Sequence, residues 1–265
     1  MRETKKARIL FISLRSDYGG GPTHMFDIVT HLNSSFGKYV ACPIQKPFYN
    51  MYKGKNIKLF SLPVRTFSLF RFVELVWFAK RNYIDIIHSH GKGAGVYSRV
   101  LGLLIGKPVI HTFHGIHYKR YSYLKQKLYF IIERIMSWFT WSIINVSVAE
   151  HEEGMRLKLF PKSKAQVIYN GVNIREIRSS SMEIELRDLI NSIKKDNTLI
   201  CTVARFDYVK GIDVAIQAMK SLKKYHKNFK YILIGDGELK KAIIKEINDC
   251  RLNNQILLLG FRDDV

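Results

Sequence analysis

Short runs of β-branched and aromatic residues alternate along the first 170 residues with longer segments of helical, 3.6-residue periodicity. The short runs predict strands at 7–14, 38–43, 57–62, 84–88, 108–113, 144–148 and 166–169. The longer segments predict helices at 22–33, 68–82, 93–105, 120–141 and 150–159. Alternating strands and helices are typical of βαβ units, so we expect a parallel sheet with helices on both faces.

A second series of the same kind follows a polar, serine-bearing segment at 171–196. It predicts strands at 197–205, 229–234 and 255–259, and helices at 211–225 and 238–250. The pattern therefore predicts an α/β protein of two Rossmann-like, doubly wound domains at 1–172 and 197–265, with 173–196 as the linker between them. A doubly wound domain usually has about five or six strands, so we expect the second domain to be incomplete.

The composition is that of an ordinary folded protein and narrows the cellular setting. With 265 residues, 47% hydrophobic and 25% charged, the chain is not collagen-like, low-complexity or disordered. Three scattered cysteines form neither a disulfide framework nor a C-x-x-C metal knuckle. No run predicts a signal-peptide core or a membrane-spanning helix. We expect a cytoplasmic protein, peripheral to the inner face of the cell membrane.

The net charge of +21 is concentrated in the first part of the chain. Residues 1–170 have 26 basic and 9 acidic side chains, whereas residues 171–265 have 17 and 13. A positive field attracts nucleic acid, an anionic membrane or an anionic substrate. Nucleic acid is disfavoured because the sequence has no RNP, helix-turn-helix or zinc pattern. The alternative is a lysine-rich composition that only keeps the protein soluble.

Ligands of open α/β sheets bind beyond the carboxyl ends of the strands. In this sequence a glycine turn follows the first predicted strand. At Gly19 and Gly20 bare backbone can approach a ligand, and the next helix offers free N–H groups to an anion. The alternative is a turn that merely joins strand to helix. The turn is not G-x-G-x-x-G, and no acidic residue ends the second strand, which disfavours a nicotinamide-dependent dehydrogenase.

Five histidines lie near the ends of two successive strands: His88, His90, His111, His114 and His117. No acidic or cysteine partner lies at metal-ligand spacing, so we expect no metal. The favoured interpretation is one imidazole that acts in hydrogen bonding or acid–base chemistry, with some of the others packed in the interior. His114 is the candidate because it lies just past a strand end, beside the flexible Gly115.

In the second domain, Arg205 follows one strand and Lys210 precedes the next helix. A guanidinium, an ammonium and helix N–H groups that converge on one anion would bind a pyrophosphate. The alternative is a solvated basic turn. Gly235 follows the next strand and opens a strand–turn–helix unit.

The helix predicted at 120–141 has two stripes. At 100° per residue, the stripe expected to face the core consists of Leu124, Leu128, Ile131, Ile135 and Phe139. The other stripe interleaves aromatic residues with cations: Tyr123, Lys127, Phe130, Arg134 and Trp141. Such a stripe suits the interface of an anionic membrane. The alternative is that it packs on a neighbouring helix while its cations extend to solvent.

These segments form an ordered set of motifs. Gly19, Gly20 and His24 match a G-G-x-x-x-H opening, and DIIHSHGKGAG (85–95) and VIHTFHG (109–115) match histidine segments. Asn170, Gly171 and Val172 match N-G-V, VARFDYVKG (203–211) matches R…KG, and IGDGEL (234–239) and LGFRDDV (259–265) match nucleotide-binding strand ends. Together they resemble the retaining glycosyltransferases of family 4, which have the GT-B fold of two facing Rossmann-like domains.

The resemblance implies a transferase that moves a sugar, with retention, from a nucleotide-sugar donor to a cell-envelope glycan or lipid-linked acceptor in polysaccharide biosynthesis. It implies that His114 lies beside the sugar at the reaction centre. It assigns the donor diphosphate to Gly19, Gly20, Arg205 and Lys210, and the nucleotide to Gly235, Phe261 and Arg262. Because cations and helix N-termini can stabilise the departing diphosphate, no metal or other cofactor is expected.

The sequence departs from the family pattern in two places. The family's E-x₇-E segment does not occur before residue 265, which we interpret as C-terminal truncation, with reduced or no activity as the expected consequence. Pro22 stands where an acidic residue is common. Two alternatives remain open: a non-catalytic remnant that binds through its basic surface or docks on a membrane, and a GT-B nucleotide-sugar epimerase or phosphorylase.

Overall fold

The computed structural model describes residues 6–55, 57–119, 121–174 and 183–262. They form two compact units, unit 1 at Met1–Val172 and unit 2 at Asn173–Val265. Each unit has helices packed on a parallel sheet, so the α/β prediction is confirmed. No helix in the described part of the chain is both long enough and apolar enough to cross a membrane.

The sheet of unit 1 has seven strands in the order β3-β2-β1-β4-β5-β6-β7. They are β1 (Arg8–Ser13), β2 (Gly37–Cys42), β3 (Lys58–Ser61), β4 (Ile86–His90), β5 (Val109–Thr112), β6 (Ser142–Asn145) and β7 (Ala165–Val167). The central strands are nearly continuous apolar runs because both of their faces are covered. On β1, Leu10 and Ile12 enter one core, whereas Ile9 and Phe11 enter the core on the opposite face.

Six α-helices connect these strands in the described part of unit 1: α1 (Gly20–His31), α2 (Phe48–Lys53), α3 (Leu69–Arg81), α4 (Lys92–Ile105), α5 (Tyr123–Trp138) and α6 (Val148–Arg156). Right-handed crossovers place α1 and α2 on one face and α3, α4 and α5 on the other. The cores agree, because α1 and α2 share one cluster while α3 and α4 share another. Helix α2 was not predicted, since six residues are too few for a helical period to show.

Helix α5 is shorter than predicted, and the stripe expected to face the core points to solvent instead. Leu124, Leu128, Ile131, Ile135 and Phe139 are all exposed, whereas Tyr129, Glu133 and Ser137 are buried. An ion pair sets this orientation: Arg99 of α4 is buried, and its Nη1 donates to Glu133 Oε2 at 2.9 Å. Arg99 Nε also donates to Thr140 Oγ1 at 2.9 Å. The prediction for this face was wrong: the helix turns Glu133 inward, where it pairs with the buried Arg99, and leaves the leucine stripe exposed.

Unit 2 has a three-stranded parallel sheet in the order β10-β9-β8. Its strands are β8 (Thr198–Val203), β9 (Phe229–Ile234) and β10 (Ile256–Gly260), and its helices are α7 (Ile184–Lys194), α8 (Ile212–Leu222) and α9 (Lys240–Asp249). A core of Phe206, Ile216, Leu233 and Ile247 joins sheet and helices. Helix α7 lies in the segment predicted as linker, where the polar composition hid its spaced apolar residues. Part of that segment, 175–182, lies outside the described residues, as do residues 263–265 of the last motif.

Candidate active site

The strand order of unit 1 reverses between β1 and β4, which places two loops at one point of the carboxyl edge. Ser13, the last residue of β1, lies opposite His90, the last residue of β4. The glycine turn that follows β1 leads into α1 at this point, and Gly91 begins the turn into α4. In open α/β sheets such a reversal is where ligands bind.

Three imidazoles meet at this reversal: His24 from α1, His90 from the end of β4 and His114 from the loop after β5. One ring nitrogen of each lies within 4.8 Å of the others. His90 Nδ1 is 3.1 Å from His114 Nε2, and the His24 ring stands edge-on to the His114 ring at 5.2 Å between centroids. These are nitrogen donors of the kind that hold Zn²⁺, so this cluster could bind a metal ion although its spacing in the sequence did not indicate one.

Burial keeps these imidazoles uncharged near neutral pH. Desolvation, together with a smaller contribution from the nearby His24, lowers the pKa of His114 to about 4. Desolvation also lowers the pKa of His24, and it lowers that of His90 well below 6.5. A neutral imidazole has one N–H donor and one lone-pair acceptor, so each ring can orient a ligand hydroxyl without adding charge.

The hydrogen bond between His90 Nδ1 and His114 Nε2 couples the tautomers of the two rings. One of the two facing nitrogens carries the proton and the other accepts it. In the tautomer with the His90 proton on Nδ1, His114 accepts at Nε2 and carries its own proton on Nδ1, where it can donate to a ligand.

The three other histidines near these strand ends, His88, His111 and His117, differ in environment. His88 is buried, and its Nε2 is 2.8 Å from Thr112 Oγ1. His111 is buried as well, with Nδ1 2.9 Å from Ser89 Oγ. Desolvation lowers the pKa of His88 to about 3. His117 is exposed. The structure thus brings His90 and His114 together with His24, and it uses His88 and His111 for packing.

The turn that carries His114 is fixed by Gly115 and Glu150. Gly115 has a φ of 100°, and a Cβ there would overlap the ring of His117. Its N–H donates to Glu150 Oε1, while the N–H of Val146 donates to Glu150 Oε2 at 3.0 Å. Glu150 is not among the residues predicted from the sequence. The Ser147-x-x-Glu150 capping box was the available signal, because Ser147 Oγ accepts from the Glu150 N–H at the start of α6.

The glycine turn lies against the same cluster. A Cβ on Gly21 would sit 3.3 Å from His114 Cδ2, so α1 begins in close contact with the imidazole. Gly20 is exposed, and a Cβ there would meet nothing within 4 Å. Gly19 lies beside Arg15, a cation that is not among the predicted site residues. Arg15 Nε donates to Asp17 Oδ1 at 2.8 Å, which holds the guanidinium at the turn.

In unit 2 the predicted diphosphate residues follow β8. The Arg205 side chain is 49% exposed, and its Nε donates to Asp207 Oδ2 at 2.6 Å. Lys210 is exposed at the end of a short 3-10 turn, and α8 begins immediately after Gly211. Within the described ranges, Lys210 has no side-chain hydrogen bond or ion pair. A cation and a helix N-terminus are thus open to an anion at this edge.

Backbone hydrogen bonds tie the three loops of this edge together. The Phe206 N–H donates to Asp236 O at 2.9 Å, and the Gly235 N–H donates to Gly260 O at 2.7 Å. Gly235 has a φ of 144°, and a Cβ there would overlap the carbonyl oxygen of Ala204. The loops that carry Arg205, Gly235 and the pair Phe261 and Arg262 therefore meet at one sheet edge. Phe261 is exposed, and Arg262 Nη2 pairs with Glu183 Oε2 at 2.8 Å.

The residues predicted for a membrane stripe on α5 have mixed environments. Tyr123, Lys127 and Trp141 are exposed. Phe130 is only half-buried but packs between the rings of Tyr118 and Tyr129, so it is not a free surface residue. Arg134 is exposed and donates to Lys158 O at 2.9 Å. The structure thus packs Phe130 against neighbouring rings, and the membrane role of these five residues stays a prediction.

The sequence matches two described families in succession. Residues 18–176 match Glycosyltransferase Family 4, and residues 185–265 match Glycosyl transferases group 1. An Escherichia coli UDP-Gal:alpha-D-GlcNAc-diphosphoundecaprenol alpha-1,3-galactosyltransferase is 25% identical over 244 residues, 88% of this chain and 63% of that protein. The Staphylococcus aureus capsular polysaccharide biosynthesis glycosyltransferase CapH is 24% identical over 270 residues, 96% of this chain and 69% of that protein.

The fold is shared with solved glycosyltransferase structures. Anabaena HepE in complex with UDP and glucose superposes with a TM-score of 0.79 at 19% identity, over 97% of this chain and 70% of HepE. WaaG, a glycosyltransferase involved in lipopolysaccharide biosynthesis, gives a TM-score of 0.68 at 14% identity, over 97% of this chain and 70% of WaaG. The predicted GT-B fold class is confirmed. The present chain spans 63% of the length of its E. coli relative.

Proposed function

Because the chain belongs to glycosyltransferase family 4, we propose that it transfers a sugar from a nucleotide-sugar donor, with retention, to a cell-envelope glycan or lipid-linked acceptor. The observation that carries the proposal is that two glycosyltransferase families match the chain in succession, at 18–176 and 185–265. Both units also place candidate residues at the carboxyl edge of a sheet. The names of the E. coli and S. aureus relatives favour an acceptor from polysaccharide assembly, either lipid-linked or capsular.

Unit 2 is proposed to bind the donor diphosphate through Arg205, Lys210 and the start of α8. When the acceptor oxygen bonds to the anomeric carbon, the bond from that carbon to the phosphate oxygen breaks and the diphosphate gains negative charge. Two cations and free helix N–H groups stabilise this charge more in the transition state than in the bound donor. The proton of the acceptor hydroxyl leaves with the diphosphate. Gly235, Phe261 and Arg262 are proposed to hold the nucleotide.

Unit 1 is proposed to provide His114 as the residue that contacts the transferred sugar, with Gly19 and Gly20 near the phosphate. A neutral His114 with its proton on Nδ1 donates a hydrogen bond to a sugar hydroxyl and orients the ring. His90 and Glu150 keep this imidazole in place. The proposal uses no metal ion, since the fixed cations of unit 2 supply the charge.

A transfer assay tests the proposal. The purified chain is incubated with labelled UDP-sugars and an undecaprenyl-diphosphate-linked sugar, and both UDP release and label in the lipid product are measured. We expect transfer to fall by about 10-fold in His114→Ala, because the variant loses a hydrogen bond to the sugar of roughly 1.5 kcal/mol. The variant should melt within a few degrees of the parent. His117→Ala is the matched control, since His117 is an exposed histidine three residues away.

Each other outcome points to a different function. Full transfer by His114→Ala contradicts its assignment. A donor sugar whose configuration changes without transfer to an acceptor identifies an epimerase. UDP binding without turnover of any donor identifies a binding remnant.

A further inference from the structure

We propose that His24, His90 and His114 together bind one divalent transition-metal ion, with Zn²⁺ as the ion of best fit. We call this group the three-histidine site. The sequence predicts no metal because the three residues are far apart along the chain, and it is the strand order of unit 1 that brings them together. Binding at the site does not depend on sugar transfer, since it requires only these three side chains.

The spacing of the three rings matches that of three ligands of one ion. In a tetrahedral Zn²⁺ complex the Zn–N bonds of about 2.0 to 2.1 Å place the centres of two imidazoles about 5.2 Å apart. The ring centres lie 5.2 Å apart for His24 and His114, 5.4 Å for His90 and His114, and 5.7 Å for His24 and His90. One nitrogen of each ring lies within 4.8 Å of the others, so a contraction of at most about 1.4 Å between nitrogens completes the site.

His90 and His114 already share a proton at the place where an ion would bind. His90 Nδ1 is 3.1 Å from His114 Nε2, and one of these nitrogens carries the proton between them. An ion that replaces this proton requires the two nitrogens to lie about 0.3 Å farther apart. His114 then keeps its own proton on Nδ1, the position from which it is proposed to donate to a sugar hydroxyl. The three-histidine site is therefore compatible with the role proposed for His114.

His24 supplies the third ligand. Its Nδ1 is buried and has no hydrogen-bond partner among the described residues, although buried polar atoms are nearly always paired. The nearby His88 is not a fourth ligand, because its Nε2 is 2.8 Å from Thr112 Oγ1. Within the described part of the chain, no carboxylate or thiol belongs to the group. Three protein ligands leave a fourth position for water, as in open zinc sites.

The ligands are held by three different elements and remain accessible. His90 ends β4, between Ser13 of β1 and Thr112 of β5. His24 lies in the second turn of α1, and the turn that carries His114 is fixed by its backbone contact with α6. Side chains that are already held in place lose little freedom when they coordinate an ion. His24 and His114 are only half-buried, which gives the ion a path from the surface.

The ligand atoms select the class of metal. Imidazole nitrogen suits Zn²⁺, Cu²⁺ and Ni²⁺, whereas Mg²⁺ and Ca²⁺ prefer oxygen ligands. His90 Nε2 is buried without a partner among the described residues, so this ligand lacks the outer hydrogen bond that usually strengthens a zinc site by about 10- to 100-fold. We therefore expect a Kd for Zn²⁺ on the order of 1 μM, weaker than that of a structural zinc site.

Metal titration tests the proposal with the 265-residue chain, prepared without a histidine tag and treated with EDTA. Equilibrium dialysis should give one Zn²⁺ per chain, and Mg²⁺ at the same concentration should not bind. Co²⁺ should give the intense visible absorption of a four-coordinate ion rather than the weak absorption of the hydrated ion. Addition of Zn²⁺ should displace this absorption, because both ions use the same ligands.

Variants that remove one ligand are compared with variants at exposed histidines. His24→Asn and His114→Asn should each weaken Zn²⁺ binding at least about 100-fold, because the loss of even an outer partner of a ligand typically costs about 10- to 100-fold. His31→Asn and His226→Asn make the same change at exposed positions and should bind Zn²⁺ like the parent. His117→Asn is the closest control, because this exposed histidine lies three residues from His114. The melting temperature of each EDTA-treated variant checks that it folds.

Two further measurements locate the ion and its effect. In NMR spectra of the imidazole nitrogens, His90 Nδ1 and His114 Nε2 should shift when Zn²⁺ is added. The urea midpoint of unit 1 should rise with Zn²⁺ in the parent and much less in His24→Asn, because an ion that binds the folded unit stabilises it.

Three results would overturn the proposal. They are the absence of Zn²⁺ binding at about 100 times the expected Kd, an equal loss of binding in ligand and control variants, and NMR shifts at other histidines instead. None of these measurements requires sugar transfer. A chain that binds Zn²⁺ at the three-histidine site but transfers no sugar contradicts the proposed function alone, and a chain that transfers sugar but binds no Zn²⁺ contradicts the metal site alone.

Discussion

The carboxyl edge of the seven-stranded sheet is lined by buried, uncharged imidazoles, whereas the edge of the three-stranded sheet presents exposed cations. In unit 1, His24, His90 and His114 contact one another, and packing from three elements holds them in place. In unit 2, Arg205 and Lys210 lie on a surface turn, and within the described ranges the one ion pair of Arg205 is with the nearby Asp207. The comparison indicates that the fold of unit 1 holds neutral hydrogen-bonding groups in the interior, while unit 2 presents positive charge at its surface.

The largest expected difference between the two edges appears in acid. The imidazoles of unit 1 have pKa values below the 6.5 of an unfolded histidine, about 4 for His114 and about 3 for His88. As the pH falls below 6.5, these histidines take up protons in the unfolded chain but not in the folded unit. The free energy of unfolding therefore decreases. Each such histidine contributes up to about 1.4 kcal/mol per pH unit. The summed effect of several such histidines approaches the free energy of unfolding of a typical protein, about 5 to 15 kcal/mol.

Urea unfolding followed by tryptophan fluorescence measures this effect in unit 1 alone, because Trp77, Trp138 and Trp141 all lie there. We expect the unfolding midpoint to fall steadily from pH 7 to pH 4.5, above the range in which ordinary carboxylates titrate. In His114→Asn, the slope of the free energy of unfolding against pH should decrease by up to the equivalent of one proton. His226→Asn in unit 2 should leave this slope unchanged. Equal stability at pH 7 and pH 4.5 would show that the histidines are not held neutral by burial.

The second prediction compares a buried and an exposed ion pair within unit 1. Glu133→Gln should destabilise the unit by about 3 to 5 kcal/mol, because it leaves the Arg99 guanidinium buried without its partner. The side chains of this pair are 1% and 3% exposed. The same change at Glu153, which pairs with the largely exposed Arg156, should cost less than about 1 kcal/mol. Urea titration of both variants gives the comparison, and similar losses would contradict the role assigned to burial.

The smallest expected effect lies in unit 2 and concerns binding. Arg205→Ala and Lys210→Ala should each weaken UDP binding by about 10- to 150-fold, the value of one charge-assisted contact of roughly 1.5 to 3 kcal/mol. Titration calorimetry measures it, with Arg187→Ala as the control because Arg187 is an exposed arginine of the same unit. Neither variant should shift the tryptophan unfolding curve of unit 1. Unchanged affinity in both would move the phosphate site elsewhere.

Much of the fold could be predicted from the sequence because its strands are apolar runs with clear ends. β1, β4 and β9 lie within three residues of their predicted bounds, and the parallel arrangement follows from the alternation of strands and helices. Position in the chain does not reveal which strands are neighbours, so the contact of His24 with His90 was not foreseen. It depends on β1 lying beside β4.

The errors at α5 and at Glu150 share one physical cause. A periodicity argument counts apolar residues and assigns the richest stripe to the core, which places Leu124 and Leu128 of α5 inside. Periodicity within one helix carries no information about a buried arginine on another helix, which requires a negatively charged partner. Glu150 was missed for a similar reason, since its role depends on backbone N–H groups brought together by the sheet. The capping box could have placed Glu150 at the start of α6, but the two N–H groups that its carboxylate accepts from become apparent only with the fold.

The pairing of Arg99 with Glu133 also restricts how this sequence can drift through evolution. A single substitution that removes either charge leaves the other charge unpaired in the interior. Selection for a folded protein eliminates such variants. A simultaneous change of both positions to apolar residues would leave the interior satisfied. We therefore expect the two positions to covary among relatives, either as a charged pair or as an apolar pair, although 34 residues separate them along the chain. Where the pair is apolar, the orientation of α5 is free to change as well, and with it the residues that the helix shows to its surroundings.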